Sequence, residues 1–128
     1  MNLLLDTHAL LWFIGGDHNL TVAARKAIED PTNNRNVSIV SIWEIAIKIN
    51  TGKMNLIAPF DELFPRQLDI NGFELMPVRI EHTSIIATLP FYHRDPFDRL
   101  LIAQSMSENM PIVSAANAFD AYDVARIW

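Results

Sequence analysis

The sequence contains no cysteine in its 128 residues. This absence excludes disulfides, thiolate metal sites and a thiol nucleophile, and it fits a cytoplasmic location. No apolar run approaches the length of about 20 residues that a membrane span requires. No basic segment precedes the apolar N-terminal run, so we expect no signal peptide. Glycine-rich phosphate loops, GxSxG motifs and paired-histidine metal motifs are also missing, which disfavours the chemistry that each of them supports.

Basic residues are in the minority, with 10 Lys and Arg against 15 Asp and Glu and a net charge of −5 at pH 7. A protein that binds nucleic acid through a broad basic face usually has the opposite sign. If a polyanion is the substrate, divalent cations or a few local Arg and Lys residues must overcome the repulsion. Alternatively, a basic partner uses this acidity.

Short apolar runs alternate with stretches of helical periodicity along the chain. The pattern predicts strands at 2–5, 36–40, 73–78, 111–115 and 124–128, and helices at 8–14, 22–28, 41–51, 59–72 (interrupted by Pro65), 83–89 and 95–109. Apolar strands that alternate with helices predict a parallel sheet covered on both faces. The sequence therefore predicts one α/β domain over residues 1–128, with a central, mostly parallel five-stranded sheet flanked by helices.

Four acidic residues fall at the junctions between these predicted elements. Asp6 ends the first strand, Glu44 lies one turn into the helix after the second strand, and Asp95 and Asp98 occupy the first turn of the long helix. In a doubly wound sheet, the starts of such helices share an edge with the carboxyl ends of the strands. Because helix N-termini also favour negative charge, we expect these carboxylates to approach one point.

Each acid also has a simpler interpretation as a helix cap. Ser41 and Glu44 in "SIWE" match a capping box, Asp95 before Pro96 is a natural N-cap, and Asp6 could cap the helix that follows it. Capping explains the acids singly but explains the set poorly. Asp6 follows directly on a buried strand, and Glu44 is flanked by isoleucine and tryptophan.

A cluster of three or four carboxylates suits a hard divalent cation such as Mg²⁺ or Mn²⁺. Such a centre can activate a water and stabilise the leaving oxygen at a phosphodiester. Arg94 and Arg99 flank the third acid group and are candidates for holding a phosphodiester backbone, with a salt bridge as the alternative for Arg99. Lys48 lies four residues after Glu44, a spacing that predicts an ion pair on one helix face, with a contact to a substrate phosphate as the alternative.

Four stretches, in this order and spacing, resemble the PIN-domain family, specifically the VapC-like toxins of bacterial toxin–antitoxin pairs. They are "LLLDTHALLW" (3–12), "SIVSIWEIAIK" (38–48), "HRDPFDRLLIAQ" (93–104) and "IVSAANAFDAY" (112–122), followed by the ending "RIW". The resemblance implies a PIN-like fold, Mg²⁺- or Mn²⁺-dependent endoribonuclease activity on RNA, and a homodimer. It also implies inhibition by a small antitoxin, which carries the DNA-binding part, so that this chain meets DNA only indirectly.

The resemblance also implies roles for individual residues. It places the family's first, second and third acids on Asp6, Glu44 and Asp98, as catalytic and metal-binding residues. Asp95 is the extra acid of the subgroup with the DPFDR pattern and is a further metal ligand. After the fourth strand, Ser114 fills the family's hydroxyl position, where we expect a substrate contact.

The family's fourth acid is missing, because its position holds Ala116. Losing one carboxylate lowers the negative charge of a metal centre and leaves a coordination position to water. Three explanations are open: the chain is naturally weakened or inactive, Asp95 compensates, or an original aspartate was replaced to make a toxic protein producible. We expect the chain as written to be impaired.

Two other functions compete with the ribonuclease. A catalytically inactive chain of the same fold could bind an antitoxin and, through it, regulate transcription, and Ala116 favours this alternative. A phosphoryl-acceptor domain using Asp6 is a weaker alternative. Such sites need a second acid close in sequence or a lysine after a later strand, and neither is present.

Overall fold

Five parallel strands form the centre of the computed structural model, which describes all 128 residues. The strands are β1 (Asn2–Leu5), β2 (Asn34–Ser38), β3 (Glu74–Met76), β4 (Ile112–Val113) and β5 (Arg126–Ile127). Their order across the sheet is β3-β2-β1-β4-β5, and every neighbouring pair is parallel. The predicted α/β fold with a five-stranded sheet is confirmed.

Helices cover both faces of this sheet. They are α1 (Thr7–Gly15), α2 (Val22–Glu29), α3 (Ile39–Asn50), α4 (Phe60–Leu63), α5 (Arg66–Ile70), α6 (Ile80–Ile86) and α7 (Pro96–Glu108), with a 3₁₀ helix at Asn117–Ala121. None of them has the length and hydrophobicity needed to span a bilayer. The 3₁₀ helix was not among the predicted elements.

The helix after β2 begins at Ile39, earlier than the predicted start at Ser41. Ser38 is its N-cap, and the Ser38 hydroxyl accepts the backbone N–H of Val40 at 3.1 Å. The predicted second strand was therefore placed too late, and the capping box of Ser41 and Glu44 is wrong. A hydroxyl cap at Ser38 prevails over the strand preference of the β-branched residues that follow it.

Other boundaries also differ from the prediction. The helix predicted at 83–89 is α6, which begins earlier because His82 Nδ1 accepts the backbone N–H of Arg79 at 2.9 Å. The helix predicted at 59–72 is divided into α4 and α5 at Pro65. β3, β4 and β5 are shorter than predicted. The predicted caps at Thr21 and Asp95 and the helix end at Gly16 are confirmed.

The sheet separates two hydrophobic clusters, because successive side chains of a strand point to opposite faces. Leu3 and Leu5 of β1 pack in one cluster with α1 and α2, and Leu4 packs in the other with α7. All three leucines are fully buried. This two-sided burial fixes the register of β1 and thereby the position of the residue that follows it, Asp6.

The end of α7 provides a test of the fold. Asn109 is exposed and adopts a left-handed conformation with φ of 51°, which a side chain with a Cβ disfavours. We expect Asn109→Ala to lower the free energy of unfolding by about 1 kcal/mol, measured by urea denaturation. Asn109→Gly is the control and should not destabilise the protein; equal losses for both variants would contradict the assigned conformation.

Candidate active site

The candidate site lies where the strand order of the sheet reverses. From β1 the chain builds β2 and β3 on one side, then crosses to β4 and β5 on the other. Loops at the carboxyl ends of β1 and β4 therefore border a crevice, which is where open α/β sheets bind ligands. Asp6 follows β1 and Ser114 follows β4. The backbone N–H of Asp6 donates to the carbonyl of Val113 at 3.0 Å and joins these two strand ends.

Asp6 is buried, with 6% of its surface exposed. One carboxylate oxygen accepts the backbone N–H of Ala9 at 2.8 Å, so Asp6 caps α1 as the simpler interpretation predicted. Burial raises the pKa of Asp6, and the negative charge of Asp98 raises it further. Hydrogen bonds from Ser114 and Ala9 act in the opposite direction on this pKa. Capping alone does not explain why a second carboxylate lies within electrostatic reach.

Glu44 reaches the same region from α3 and is also buried. The Thr7 hydroxyl donates to Glu44 Oε1 at 2.7 Å and lies 3.0 Å from the Ser41 hydroxyl. The Lys48 ammonium pairs with Glu44 Oε2, so the predicted i,i+4 ion pair is confirmed. Thr7 was missed at the sequence level, although its place next to Asp6 at the end of a buried strand was a usable signal.

Asp95 and Asp98 come from the N-terminus of α7. Asp95 Oδ1 accepts the backbone N–H groups of Phe97 at 2.8 Å and Asp98 at 3.2 Å, which confirms its predicted cap. Asp98 Oδ2 hydrogen-bonds His93 Nε2 at 2.7 Å. Burial raises the pKa of Asp98 against the effect of the His93 bond, and the charges of Asp95 and Glu44 raise it further.

An aromatic contact joins the helices that carry Glu44 and Asp98. Trp43 of α3 and Phe97 of α7 stack edge to face with ring centroids 5.3 Å apart. These residues precede Glu44 and Asp98 in the sequence, so the aromatic pair fixes one acid-bearing helix turn against the other. The pKa of Lys48 is raised first by its hydrogen bond to Glu44, and the charges of Asp95 and Asp98 also raise it.

The four acids form an electrostatic cluster, but they do not yet form a closed coordination shell. No three Asp, Glu or His side chains are close enough together to hold one ion as they stand. The one lysine or arginine that pairs with any of these acids is Lys48, through Glu44. The donor set still suits a hard divalent cation, because it consists of oxygens. Burial is the main cause of the raised pKa values of Asp6 and Asp98, and neighbouring carboxylates raise both further. Sharing one ion would require movement of side chains.

Arg99 has a structural role that differs from both predicted alternatives. Its side chain is buried, and its terminal nitrogens donate to the carbonyls of Leu89 at 3.0 Å, Pro90 at 2.9 Å and His93 at 3.1 Å. No carboxylate accepts from it. Arg99 therefore holds the loop before α7, whereas Arg94 on that loop is exposed and forms no ion pair with an acid of the chain.

The turn directly after β4, residues 114–116, supports Asp6 and contains no acid. Ser114 is fully buried, its hydroxyl accepts the backbone N–H of Ala116 at 3.0 Å, and its interaction with the Asp6 carboxylate lowers the pKa of Asp6. Ser114 thus positions Asp6 from inside the protein. Ala116 stands at the start of the 3₁₀ helix and packs against the hydrophobic cluster around Leu4.

Comparison with known proteins identifies the family of this chain. The PIN domain family matches residues 3–125, nearly the whole chain. The chain belongs to the PIN domain family. PIN domains are generally nucleases and typically depend on divalent metal ions. A search of curated proteins gives no significant match.

Solved structures show the same PIN fold. VapBC2 from Rickettsia felis, bound to a DNA fragment from its promoter, matches with a TM-score of 0.66 and 14% identity, covering 98% of this chain and 97% of that chain. FitAcB from Neisseria gonorrhoeae matches with a TM-score of 0.60 and 16% identity, covering 97% and 95%. FitAB bound to an IR36 DNA fragment matches with a TM-score of 0.59 and 16% identity, covering 97% and 92%.

The raised pKa of Asp98 predicts how stability depends on pH. A folded-state pKa above the unfolded value means that the folded protein binds more protons between the two values. The free energy of unfolding then falls as pH rises through that window. We expect Asp98→Asn, which can still accept from His93, to unfold at a higher temperature than the unsubstituted protein at pH 7. This advantage should disappear below the window.

Asp120→Asn is the control of opposite sign. The hydrogen bond from Arg126 lowers the pKa of Asp120, so its ionised form stabilises the fold. Neutralising Asp120 should not raise the melting temperature at pH 7. If Asp98→Asn were no more stable than the unsubstituted protein at pH 7, the raised pKa of Asp98 would be disproved.

Proposed function

We propose that this PIN domain is a metal-dependent endoribonuclease of the toxin type, which a cognate antitoxin neutralises. One observation carries the proposal. Asp6, Glu44 and Asp98 come from three separate parts of the fold, and the charge of Asp98 raises the pKa of Asp6 while the charge of Glu44 raises the pKa of Asp98. Structural needs alone would not favour such a cluster, because desolvated like charges oppose folding.

The proposed cofactor is Mg²⁺ or Mn²⁺, held by Asp6, Glu44 and Asp98, with Asp95 as a further ligand. When bound, such an ion supplies an activated water and charge stabilisation for the leaving oxygen of the phosphodiester. The protein holds the carboxylates in place through the Ala9 amide on Asp6, the Thr7 hydroxyl on Glu44 and the His93 ring on Asp98.

The solvent exposure of the arginine side chains indicates which of them can contact the RNA. Arg94 is the free cation next to the acids and is the candidate for a phosphate of the RNA, whereas Arg99 is buried. Ser114 faces Asp6, and we assign it the positioning of that carboxylate. A chain with a net charge of −5 has little long-range attraction for RNA, so local contacts must provide most of the affinity.

The proposed partner is an antitoxin protein. The similar solved structures are VapBC and FitAB complexes, two of them bound to DNA, which supports an antitoxin that provides the DNA contact. A groove of about 620 Å³ lies between α1 and residues 53–57 and is half hydrophobic, with Trp12 and Leu56 among its lining residues. We propose this groove for the antitoxin, and a cytoplasmic homodimer as the working form of the chain.

A second candidate function is favoured by Ala116. Without the family's fourth acid, the chain could bind an antitoxin and take part in transcriptional autoregulation without cutting RNA. The two functions share the same fold and the same partner. They differ in whether the acid cluster of this chain supports hydrolysis.

RNA cleavage distinguishes the two functions. We expect Ala116→Asp to increase Mg²⁺-dependent cleavage of single-stranded or transfer RNA by about tenfold or more, because it restores a carboxylate to the centre. Ala116→Asn is the matched control, with nearly the same shape and no charge, and should not increase cleavage. Adding Asp6→Asn to Ala116→Asp should reduce the rate by roughly 100-fold. Equal activity of Ala116→Asp and the original chain would contradict the assignment.

Metal binding can be tested without any activity. A ligand that binds only the folded state stabilises it, by about 2.7 kcal/mol when its concentration is 100 times the dissociation constant. We expect Mg²⁺ or Mn²⁺ to raise the melting temperature, more strongly for Ala116→Asp and more weakly for Asp98→Asn. If the melting temperatures of all three proteins respond equally to the metal, the acids do not hold it.

A further inference from the structure

The loop that precedes α7 carries two exposed aromatic side chains next to the acid cluster. Phe91 is 78% exposed and Tyr92 is 67% exposed. Tyr92 directly precedes His93, the residue whose ring hydrogen-bonds Asp98. Consecutive Cα atoms are about 3.8 Å apart, so the backbone of Tyr92 lies directly beside a residue that contacts the acid cluster.

The buried side chain of Arg99 holds this loop in place. The buried guanidinium of Arg99 donates to the carbonyls of Leu89, Pro90 and His93. Burying an arginine without a carboxylate partner is costly, and here three of its hydrogen bonds go to carbonyls of this loop while a fourth, at 3.4 Å, goes to the Tyr122 hydroxyl. The loop conformation, and with it the position of the aromatic pair, is therefore defined by the core of the protein.

Each of the two rings packs on one side against another side chain of the protein. The Arg99 guanidinium carbon lies 3.9 Å from the ring centroid of Phe91, a close cation–π contact. Tyr92 packs on Tyr122 with centroids 5.3 Å apart, and the Tyr122 hydroxyl donates to the Pro90 carbonyl at 2.7 Å. Each ring thus has a fixed inner side and an outer side open to solvent.

We propose that Phe91 and Tyr92 form a stacking platform for bases of single-stranded RNA that flank the cleaved phosphodiester. The proposal rests on the proposed ribonuclease function. Aromatic faces stack on unpaired bases whatever their identity, and such contacts are typical of proteins that bind single strands. Arg94, exposed and without an acidic partner, follows this pair by two residues and offers a positive charge to the backbone of the same strand.

Charge favours RNA over a protein partner at this surface. The net charge of the chain is −5, but this surface carries an unpaired arginine beside two exposed rings. The arginine is complementary to a backbone phosphate, and the rings are complementary to flat bases. The groove assigned to the antitoxin lies elsewhere, between α1 and residues 53–57. The platform also adds affinity that the acidic surface cannot supply through long-range attraction.

Binding of a fluorescent single-stranded RNA, followed by anisotropy in Mg²⁺, tests the platform. An Asp6→Asn background limits cleavage in every protein compared. We expect Phe91→Ala with Tyr92→Ala to weaken binding about fivefold or more, the lower end of the range for loss of one base stack. Phe91→Leu with Tyr92→Leu keeps an apolar cover over Arg99 without a π-face and should weaken binding similarly. Phe91→Tyr with Tyr92→Phe should retain it.

Two controls separate stacking from general damage. Ile80 is 77% exposed and makes a matched apolar surface position, so Ile80→Ala should leave RNA affinity unchanged. A series of oligonucleotides should carry one abasic position each, at successive places along the strand. At some of these places, loss of the base should weaken binding to the protein with intact rings and should have no further effect on binding to the leucine variant. Duplex RNA should not distinguish the proteins.

The outcomes also separate the platform from the ribonuclease function. If the chain with its rings intact binds no RNA, the proposed function and the platform both fail. If RNA binds equally well after the rings are removed, the platform alone fails. The same conclusion follows if the leucine variant loses antitoxin binding but keeps its RNA affinity, since the surface would then serve a protein.

Discussion

The structure depends on placing several carboxylates in a poorly solvated crevice without an equal number of positive charges. Asp6 and Asp98 have raised pKa values because burial and neighbouring acids both oppose their ionised forms. The protein limits this cost with a backbone amide, a hydroxyl, the His93 ring and the single ammonium of Lys48. A fold selected for stability alone would replace one of these acids by a neutral side chain. Their retention is what ties the architecture of the sheet edge to chemistry.

Arg99 shows how the fold and the site share residues. It follows Asp98 in the sequence and could have neutralised the acids, but its guanidinium is turned into the loop before α7 and bonds carbonyl oxygens. The acid cluster consequently keeps its negative charge, and the loop gains a defined shape. That shape sets both the His93 contact to Asp98 and the outward direction of the exposed aromatic residues. One buried side chain therefore connects charge, loop geometry and the outer surface.

Signals that lie within a few residues of one another were predictable from the sequence, and contacts between distant segments were not. Apolar runs located the five strands, and Thr21 and Asp95 were recognisable as caps because a cap is a local hydrogen bond. Ser38 was missed because two β-branched residues after it resembled more strand. Asp6, Glu44 and Asp98 were predicted to converge because parallel strands end at one edge. Asp98 is electrostatically coupled to Asp6 and to Glu44, but the three acids are not close enough together to hold one ion. The hydrogen bond from Thr7 to Glu44 and the burial of Arg99 depend on tertiary packing, which the hydrophobic periodicity of the sequence does not reveal.

Ala116 has opposite consequences for stability and for chemistry. A carboxylate at the start of the 3₁₀ helix would add a further negative charge to a crevice in which Asp6 and Asp98 already repel each other. The alanine avoids that repulsion and packs its methyl group against the apolar cluster around Leu4. In the absence of a metal, the chain is therefore easier to fold than one with the complete acid set. An alanine at this position also offers a divalent cation one anionic ligand fewer than an aspartate would, and the attraction for such a cation grows with the number of anionic ligands. On the proposed function, a ribonuclease and a non-cleaving antitoxin-binding module of this fold would differ at this position by one carboxylate charge.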